Sequence, residues 1–196
     1  MHVIDKVFPA SVFEKIQELV LSPEVAWTWQ PENDIVETSL LTGWKSNIAQ
    51  IRSDNTYLEY NKDLFNVVST ALACSLEKVG QTLDRILIMR LLLNTASPRP
   101  YNTGVHVDTD TKHMTAILYI NDSDGSTIIY KNKYLPMLNE SSASYRVRNS
   151  SKFEIKTEIE PKANRMVVFD GLHYHAGTLP VTTPKRILLN VNYTVK

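Results

Sequence analysis

One cysteine, Cys74, stands in 196 residues, which excludes an internal disulfide framework, a cysteine-based zinc site and an iron–sulfur cluster. Any metal must therefore be held by histidine and carboxylate. A charge of one sign is lacking too. Lys+Arg and Asp+Glu number 21 each, so no global basic field is present to hold nucleic acid or an anionic membrane. A local basic cluster such as "YRVR" at 145–148 reads as a solvated loop. The opening "MHVIDKVFPASVFEKIQEL" carries Asp5, Lys6, Glu14 and Lys15 and has no apolar stretch long enough for a signal peptide or a membrane span. The expectation is a soluble, cytoplasmic protein. Neither G-x-G-x-x-G nor a Walker A pattern occurs, and there is no internal repeat or low-complexity tract.

What is present is ordinary for a globular chain: 43% apolar and 21% charged residues, enough for one domain spanning 1–196. The first third reads as helical. Ser11 and Glu14 match a capping box, and Val12, Ile16 and Val20, widened by Phe13 and Leu19, predict a helix over about 11–21. Asn61 is placed to cap a second helix, whose stripe of Leu64, Phe65, Val68, Leu72, Leu76 and Val79 ends at Gly80. Between them, 23–60 carries Trp27, Trp29 and Trp44 with few regular signals, so these rings either pack in the core or line a pocket.

From residue 85 the texture turns to β. "RILIMRLLLN", "HMTAILYIN", "STIIY", "KFEIKTEI", "NRMVVF" and "KRILLNVNYTV" are short runs rich in Ile, Leu, Val, Thr and Tyr, broken by turn residues. Strands in succession after two helices predict a mainly β fold, an antiparallel sandwich or barrel with N-terminal helices packed against it. Residues 1–84 then form helical support and pocket wall, and 85–196 the β core. The segment 131–151 is long and polar for a hairpin turn; with Tyr134, Leu135, Met137, Leu138 and Tyr145 it is expected to act as a lid or substrate-recognition loop.

The chemistry-bearing residues fall in two places. In "GVHVDTD", His106 and Asp108 are two apart, which on a strand puts both side chains on one face. Near the C-terminus, "MVVFDGLHYHAGTLP" supplies His173 and His175, again two apart and equivalent by periodicity. Two histidines and one carboxylate with open coordination positions make the facial triad of non-heme Fe(II) oxygenases.

The pattern H-x-D, then F-D-G-x-x-x-H-x-G with its histidine roughly seventy residues after the first and a basic residue eleven positions further on, resembles the 2-oxoglutarate- and Fe(II)-dependent dioxygenase superfamily. Its texture is nearest to small enzymes encoded by tailed phages and to the prolyl hydroxylase branch; a phage origin would put it in the host cytoplasm. The resemblance covers about 85–194. It implies a double-stranded β-helix of the jelly-roll or cupin-like type, with Fe(II), 2-oxoglutarate and O₂ as cofactor and co-substrates. It picks His175 over His173 as the third ligand beside His106 and Asp108.

The family also places the anchor for the far carboxylate of 2-oxoglutarate at the start of the last strand, where Lys185 and Arg186 are adjacent and face opposite sides. Arg186 is chosen because Leu188, Asn190 and Asn192 share its face, while Ile187, Leu189 and Val191 form the other. An inward guanidinium cannot deprotonate and needs an anion. Tyr119 falls where the hypoxia-sensing prolyl hydroxylases carry an assisting tyrosine. Asn190, Asn192, Asn94 and Arg90 are further pocket candidates, and His113 reads as structural. The implied activity is hydroxylation of an unactivated C–H bond with release of succinate and CO₂, on an amino-acid residue of a peptide or protein. The alternatives are a free small molecule, a nucleobase, or a non-catalytic metal-binding β-barrel. Zinc hydrolysis lacks a spare glutamate base in the motifs.

Overall fold

Two helices brace the protein from one side, and their ends follow local backbone chemistry. In the computed structural model, which describes residues 1–29, 43–52, 55–135, 146–147 and 153–196, helix α1 runs Ala10–Val20 with Pro9 as its N-cap. The Ser11–Glu14 capping box does not form. The helix starts two residues earlier than the box requires, so Ser11 lies within the first turn and no side chain caps the end. Phe13, Ile16 and Val20 are buried as the stripe predicts. Helix α2, Lys62–Glu77, is capped by Asn61, whose side chain accepts from Leu64 N at 3.0 Å. Its other end closes as a Schellman motif: Gln81 N donates to Leu76 O and Gly80 N to Glu77 O, with Gly80 at φ +73°.

Among the described residues the strands are β1 (His2–Ile4), β2 (Thr28–Trp29), β3 (Gly43–Ile51), β4 (Tyr57–Glu59), β5 (Leu83–Thr95), β6 (Val105–His106), β7 (Met114–Tyr119), β8 (Thr127–Lys133), β9 (Arg146–Val147), β10 (Ile155–Ile159), β11 (Met166–Asp170), β12 (His173–Gly177) and β13 (Lys185–Val195). The larger sheet has the order β1-β11-β7-β13-β5-β3-β2, with β4 on β3; the smaller has β10-β8-β12-β6-β9. Every pairing within them is antiparallel. This is the double-stranded β-helix expected above. The six β runs read from residue 85 onward each contain a strand.

The stretch 23–60 is less irregular than its sequence suggests, because β2, β3 and β4 lie in it. β3 hides its period. Its pairing with β5 shifts register between Asn47 and Ala49, so Ile48 and Ala49 are both buried and the alternation fails. The three tryptophans part company: Trp27 packs against the core, Trp29 is exposed and Trp44 lines the cavity described below.

The larger sheet has two differently used faces. On one, Met89, Leu91, Ile187, Leu189 and Val191 pack against Ile16, Val20, Leu64, Val68 and Leu72 of the helices. Burying a side chain of this size contributes roughly 1.5–3 kcal/mol, so this face fixes the sheet on its support. The other face meets the smaller sheet through Ile117, Tyr119, Ile129, Val167, Phe169 and Leu188. Strand β13 therefore alternates as its sequence indicates, and Arg186 and Asn190 end up between the sheets. Of the segment 131–151, β8 runs on to Lys133, Tyr134 is buried, and β9 pairs with β6. Its expected role as a lid, with Met137, Leu138 and Tyr145, falls on 136–145 and 148–151 and lies outside the described residues.

Candidate active site

Strands β6 and β12 pair at His106 and His175, which sit opposite one another with ring centroids 4.6 Å apart. Strand β6 ends at His106, so Asp108 lies just past it, with its side chain fully buried. His106 Nε2 is 3.7 Å from Asp108 Oδ1, and His175 Nε2 is 3.6 Å from Asp108 Oδ2. One donor atom from each of the three lies within 4.8 Å of the others.

The rings are oriented from behind. His106 Nδ1 is 2.7 Å from the carbonyl of Gly104, and His175 Nδ1 is 3.1 Å from that of His173. A carbonyl only accepts, so each Nδ1 carries the proton and each Nε2 turns a lone pair toward the centre. Burial pushes the His175 imidazole down to about 4, against the opposing pull of the His173 carbonyl and with further lowering by Arg90. His175 is thus neutral near pH 7, the state a metal ligand requires. Phe169 packs edge-on to its ring at 5.3 Å. Asp108 is held by Arg90 Nη2 at Oδ1 and by Asn190 Nδ2 at Oδ2, the latter at 3.1 Å.

His173 does not share this centre. A register shift in β12 between His173 and His175 breaks the two-residue period. His173 Nδ1 donates to Tyr130 O at 2.8 Å, and its Nε2 lies 3.1 Å from Lys156 Nζ. Only its backbone carbonyl reaches His175. His113 is also apart, bonded to Thr111 O and pressed against Gly171.

A cavity of about 250 Å³ joins the His/Asp/His group to Arg186. Arg186 is 3% exposed, and among the described residues no carboxylate lies within ion-pair distance of it. Its Nη2 donates to Thr127 Oγ1 at 2.7 Å, its Cζ lies 5.9 Å from the centre of the Tyr119 ring, and its Nε has no partner. Burial lowers its pKa, yet a guanidinium stays charged. Two glycines make the slot it lies in: a Cβ at Gly177 would stand 3.0 Å from Arg186 Nη1, and one at Gly125 3.0 Å from Arg186 Cδ.

Asn94 and Asn190 line the cavity with Arg90, whereas Tyr119 and Asn192 do not. The Tyr119 hydroxyl is turned to Thr127, and Asn192 Oδ1 accepts from Thr115 at 3.0 Å, a cross-strand bond off the cavity wall. Thr127 and Lys45 are wall residues that sequence reasoning missed, while Trp44 lines the cavity in keeping with one of its two expected roles. No motif surrounds Thr127; its place follows from pairing opposite Gly177.

The sequence model of the 2OG-Fe(II) oxygenase superfamily matches residues 91–194. The chain belongs to this superfamily. It is a 2-oxoglutarate-dependent dioxygenase, with Fe(II) as metal and 2-oxoglutarate as co-substrate. No curated protein sequence matches it. Among solved structures, an oxidoreductase of the 2OG-Fe(II) oxygenase family from Burkholderia pseudomallei aligns at TM-score 0.65 and 11% identity, over 98% of this chain and 82% of that one. A prolyl hydroxylase from Trichoplax adhaerens, in complex with a peptide of the hypoxia inducible factor oxygen degradation domain, aligns at 0.59 and 13%, over 98% and 82%. HygX from Streptomyces hygroscopicus, with nickel, 2-oxoglutarate and hygromycin B bound, aligns at 0.57 and 16%, over 97% and 81%. At these identities the likeness is one of fold. No helix among the described residues of this dioxygenase is long and apolar enough to cross a membrane.

Proposed function

We propose that the protein is a prolyl hydroxylase-like enzyme that hydroxylates an amino-acid residue in a peptide or protein, converting 2-oxoglutarate to succinate and CO₂. The observation that carries this reading is Arg186, a buried guanidinium with no carboxylate beside it among the described residues, in one cavity with His106, Asp108 and His175. A desolvated cation of this kind needs an anionic partner, and the far carboxylate of 2-oxoglutarate supplies one.

The donor set fits the metal. Two imidazole Nε2 atoms and a carboxylate converge, their far sides are held by backbone carbonyls, Arg90 and Asn190, and open positions remain. His106, Asp108 and His175 would hold Fe(II), which when bound supplies the redox chemistry that turns O₂ against a C–H bond. Arg186 and Thr127 orient the co-substrate through its far carboxylate, and Tyr119 fixes Thr127 from behind. Asn190 keeps Asp108 aimed, and Asn94 offers a hydrogen-bonding group on the wall. Leu188 and Ile117 give the cavity apolar sides that exclude water.

The size of the cavity favours a residue over a large free molecule. About 250 Å³ is small beside the roughly 300–1,000 Å³ of drug-sized ligand pockets, and the co-substrate takes much of it. A substrate that inserts one side chain fits that space. A second reading, oxidation of a free small molecule, has support from the likeness to HygX with hygromycin B bound. The test is a mass-spectrometric screen of peptides and metabolites with Fe(II), 2-oxoglutarate and O₂. The proposal expects a peptide to gain one oxygen atom, matched by succinate; gain only on free metabolites supports the second reading.

A further inference from the structure

Arg186 and Thr127, the two donors assigned to the far carboxylate of 2-oxoglutarate, stand on different sheets. Arg186 belongs to β13 of the larger sheet and Thr127 to β8 of the smaller one. Their spacing therefore depends on how far apart the sheets lie at this end of the barrel. The metal-binding histidines do not share that dependence, since His106 and His175 pair directly across β6 and β12, both strands of the smaller sheet.

Two connections cross between the sheets beside this anchor. Residues 120–126 lead from β7 to Thr127, and 178–184 lead from β12 to β13, whose second residue is Arg186. Asp124 ties one to the other. Its Oδ1 accepts from Thr183 N at 3.1 Å and Thr183 Oγ1 at 2.6 Å, and its Oδ2 from Val181 N at 3.0 Å, Thr182 N at 2.8 Å and Thr182 Oγ1 at 2.9 Å. Slight burial works to raise its pKa, yet the hydrogen bonds from Thr183, Thr182 and Val181 hold the carboxyl well below the usual carboxylate range. Gly125 brings the two crossings into contact: a Cβ there would stand 2.6 Å from Thr178 O, 2.9 Å from Pro180 N and 3.0 Å from Arg186 Cδ. The stem of Arg186 thus lies against the residue next to Asp124. The far side of 178–184 is held by Ala96 N on Pro184 O and Ser97 N on Pro180 O, so it is a fixed frame for the tie.

We infer that Asp124 is a positioning residue for co-substrate binding: by tying the two crossings together it sets the distance between Arg186 and Thr127. The inference rests on the proposed function for the role of Arg186, and adds a residue outside the cavity to it. Asp124 is exposed and lines no part of the cavity, so its effect on 2-oxoglutarate travels only through the residues it holds. Two donors on separate supports clasp one carboxylate only while both stay within hydrogen-bond range of it. Asn121 and Ser126 fasten the ends of the crossing, with Asn121 Oδ1 accepting from Ile187 N at 2.8 Å and Ser126 O from Thr178 N at 2.8 Å. Asp124 holds the span between them. Release of that span lets the sheets part at the anchor, while the two histidines keep their places on a single sheet.

The test uses protein loaded with Zn(II), which is redox-inactive, and follows 2-oxoglutarate binding by calorimetry. Wild type and Arg186→Ala come first: no binding by the wild type, or equal binding by both, overturns the proposed function and this inference together. Asp124→Ala is then expected to weaken 2-oxoglutarate binding about tenfold, with Zn(II) affinity as in the wild type. Thr183→Val, a milder change that keeps the carboxylate and every backbone bond to it, should weaken 2-oxoglutarate about threefold. The double variant should bind no more weakly than Asp124→Ala alone, a coupling in ligand affinity that general loss of stability does not produce. Should Asp124→Ala not fold, Thr183→Val decides. Unchanged 2-oxoglutarate affinity in either variant, additive effects in the double variant, or a parallel loss of Zn(II) affinity would overturn the inference and leave the proposed function standing.

Discussion

The hydroxyl of Thr127 accepts two hydrogen bonds, one from the Tyr119 hydroxyl and one from Arg186 Nη2, each at 2.7 Å. Both lone pairs of Oγ1 are thereby taken, so the hydroxyl proton must be donated to a third group. Thr127 lines the cavity, and an anion beside Arg186 would receive that proton. Thr127→Val is therefore expected to raise the KM for 2-oxoglutarate about tenfold, corresponding to a hydrogen bond to a charged group, while Thr127→Ser keeps it low. Steady-state succinate release separates the two. Tyr119→Phe, one step further from the ligand, should cost on the order of 1 kcal/mol.

Arg186→Ala should raise the 2-oxoglutarate requirement far more, by roughly 2–5 kcal/mol, since it truncates one partner of a desolvated charge pair. Lys185→Ala should be mild, because Lys185 is exposed. The reverse ranking in a titration of 2-oxoglutarate against metal-loaded protein would contradict the anchor assignment.

Removal of one histidine should distinguish ligand from neighbour. His175→Ala is expected to lose tight divalent-metal binding by calorimetry, and His173→Ala to keep it, because the His173 ring is turned to Tyr130 and Lys156. Only the His173 carbonyl touches His175, and a side-chain substitution leaves that carbonyl in place.

The depressed pKa of His175 predicts acid lability of the metal-free protein. Its imidazole falls from the ordinary 6.5 to about 4 on folding, through burial. Between those values the unfolded chain binds the proton and the folded one does not. Stability from this group is therefore intact above 6.5 and falls as pH drops toward 4, by about 3 kcal/mol in all. Urea unfolding at a series of pH values should show that decline in the wild type and a shallower one in His175→Gln.

Gly171 is a steric necessity. A Cβ there would come within 2.1 Å of His113 Nε2 and 2.2 Å of His113 Cδ2. Gly171→Ala should destabilise by roughly 1–3 kcal/mol through forced displacement of the ring. In combination with His113→Ala that clash is absent, so a double-mutant cycle should return a large favourable coupling.

How much of this was legible in the sequence depended on whether local periodicity survived folding. Strand β13 is regular from Lys185 to Asn192, so the inward set of Arg186, Leu188 and Asn190 and the outward set of Ile187, Leu189 and Val191 could be assigned by alternation. Asn192 shares the inward face but pairs with Thr115 beyond the cavity's end. Strand β3 was not legible because its bulge buries two successive residues. The same kind of irregularity in β12 parts His173 from His175, a distinction that period two could not make and the flanking motif could. Thr127 was invisible because threonines in a β run are common, and only its pairing opposite Gly177 brings it to Arg186. The capping box at Ser11 failed since Pro9 already starts the helix.

The most direct test of the central claim is succinate formation from 2-oxoglutarate under air with Fe(II), measured for the wild type, His175→Ala and Arg186→Ala. The account predicts succinate from the wild type, none above background from His175→Ala, and recovery of Arg186→Ala only at greatly raised 2-oxoglutarate. Equal succinate release by wild type and His175→Ala, or none from metal-loaded wild type at any 2-oxoglutarate concentration, would contradict it.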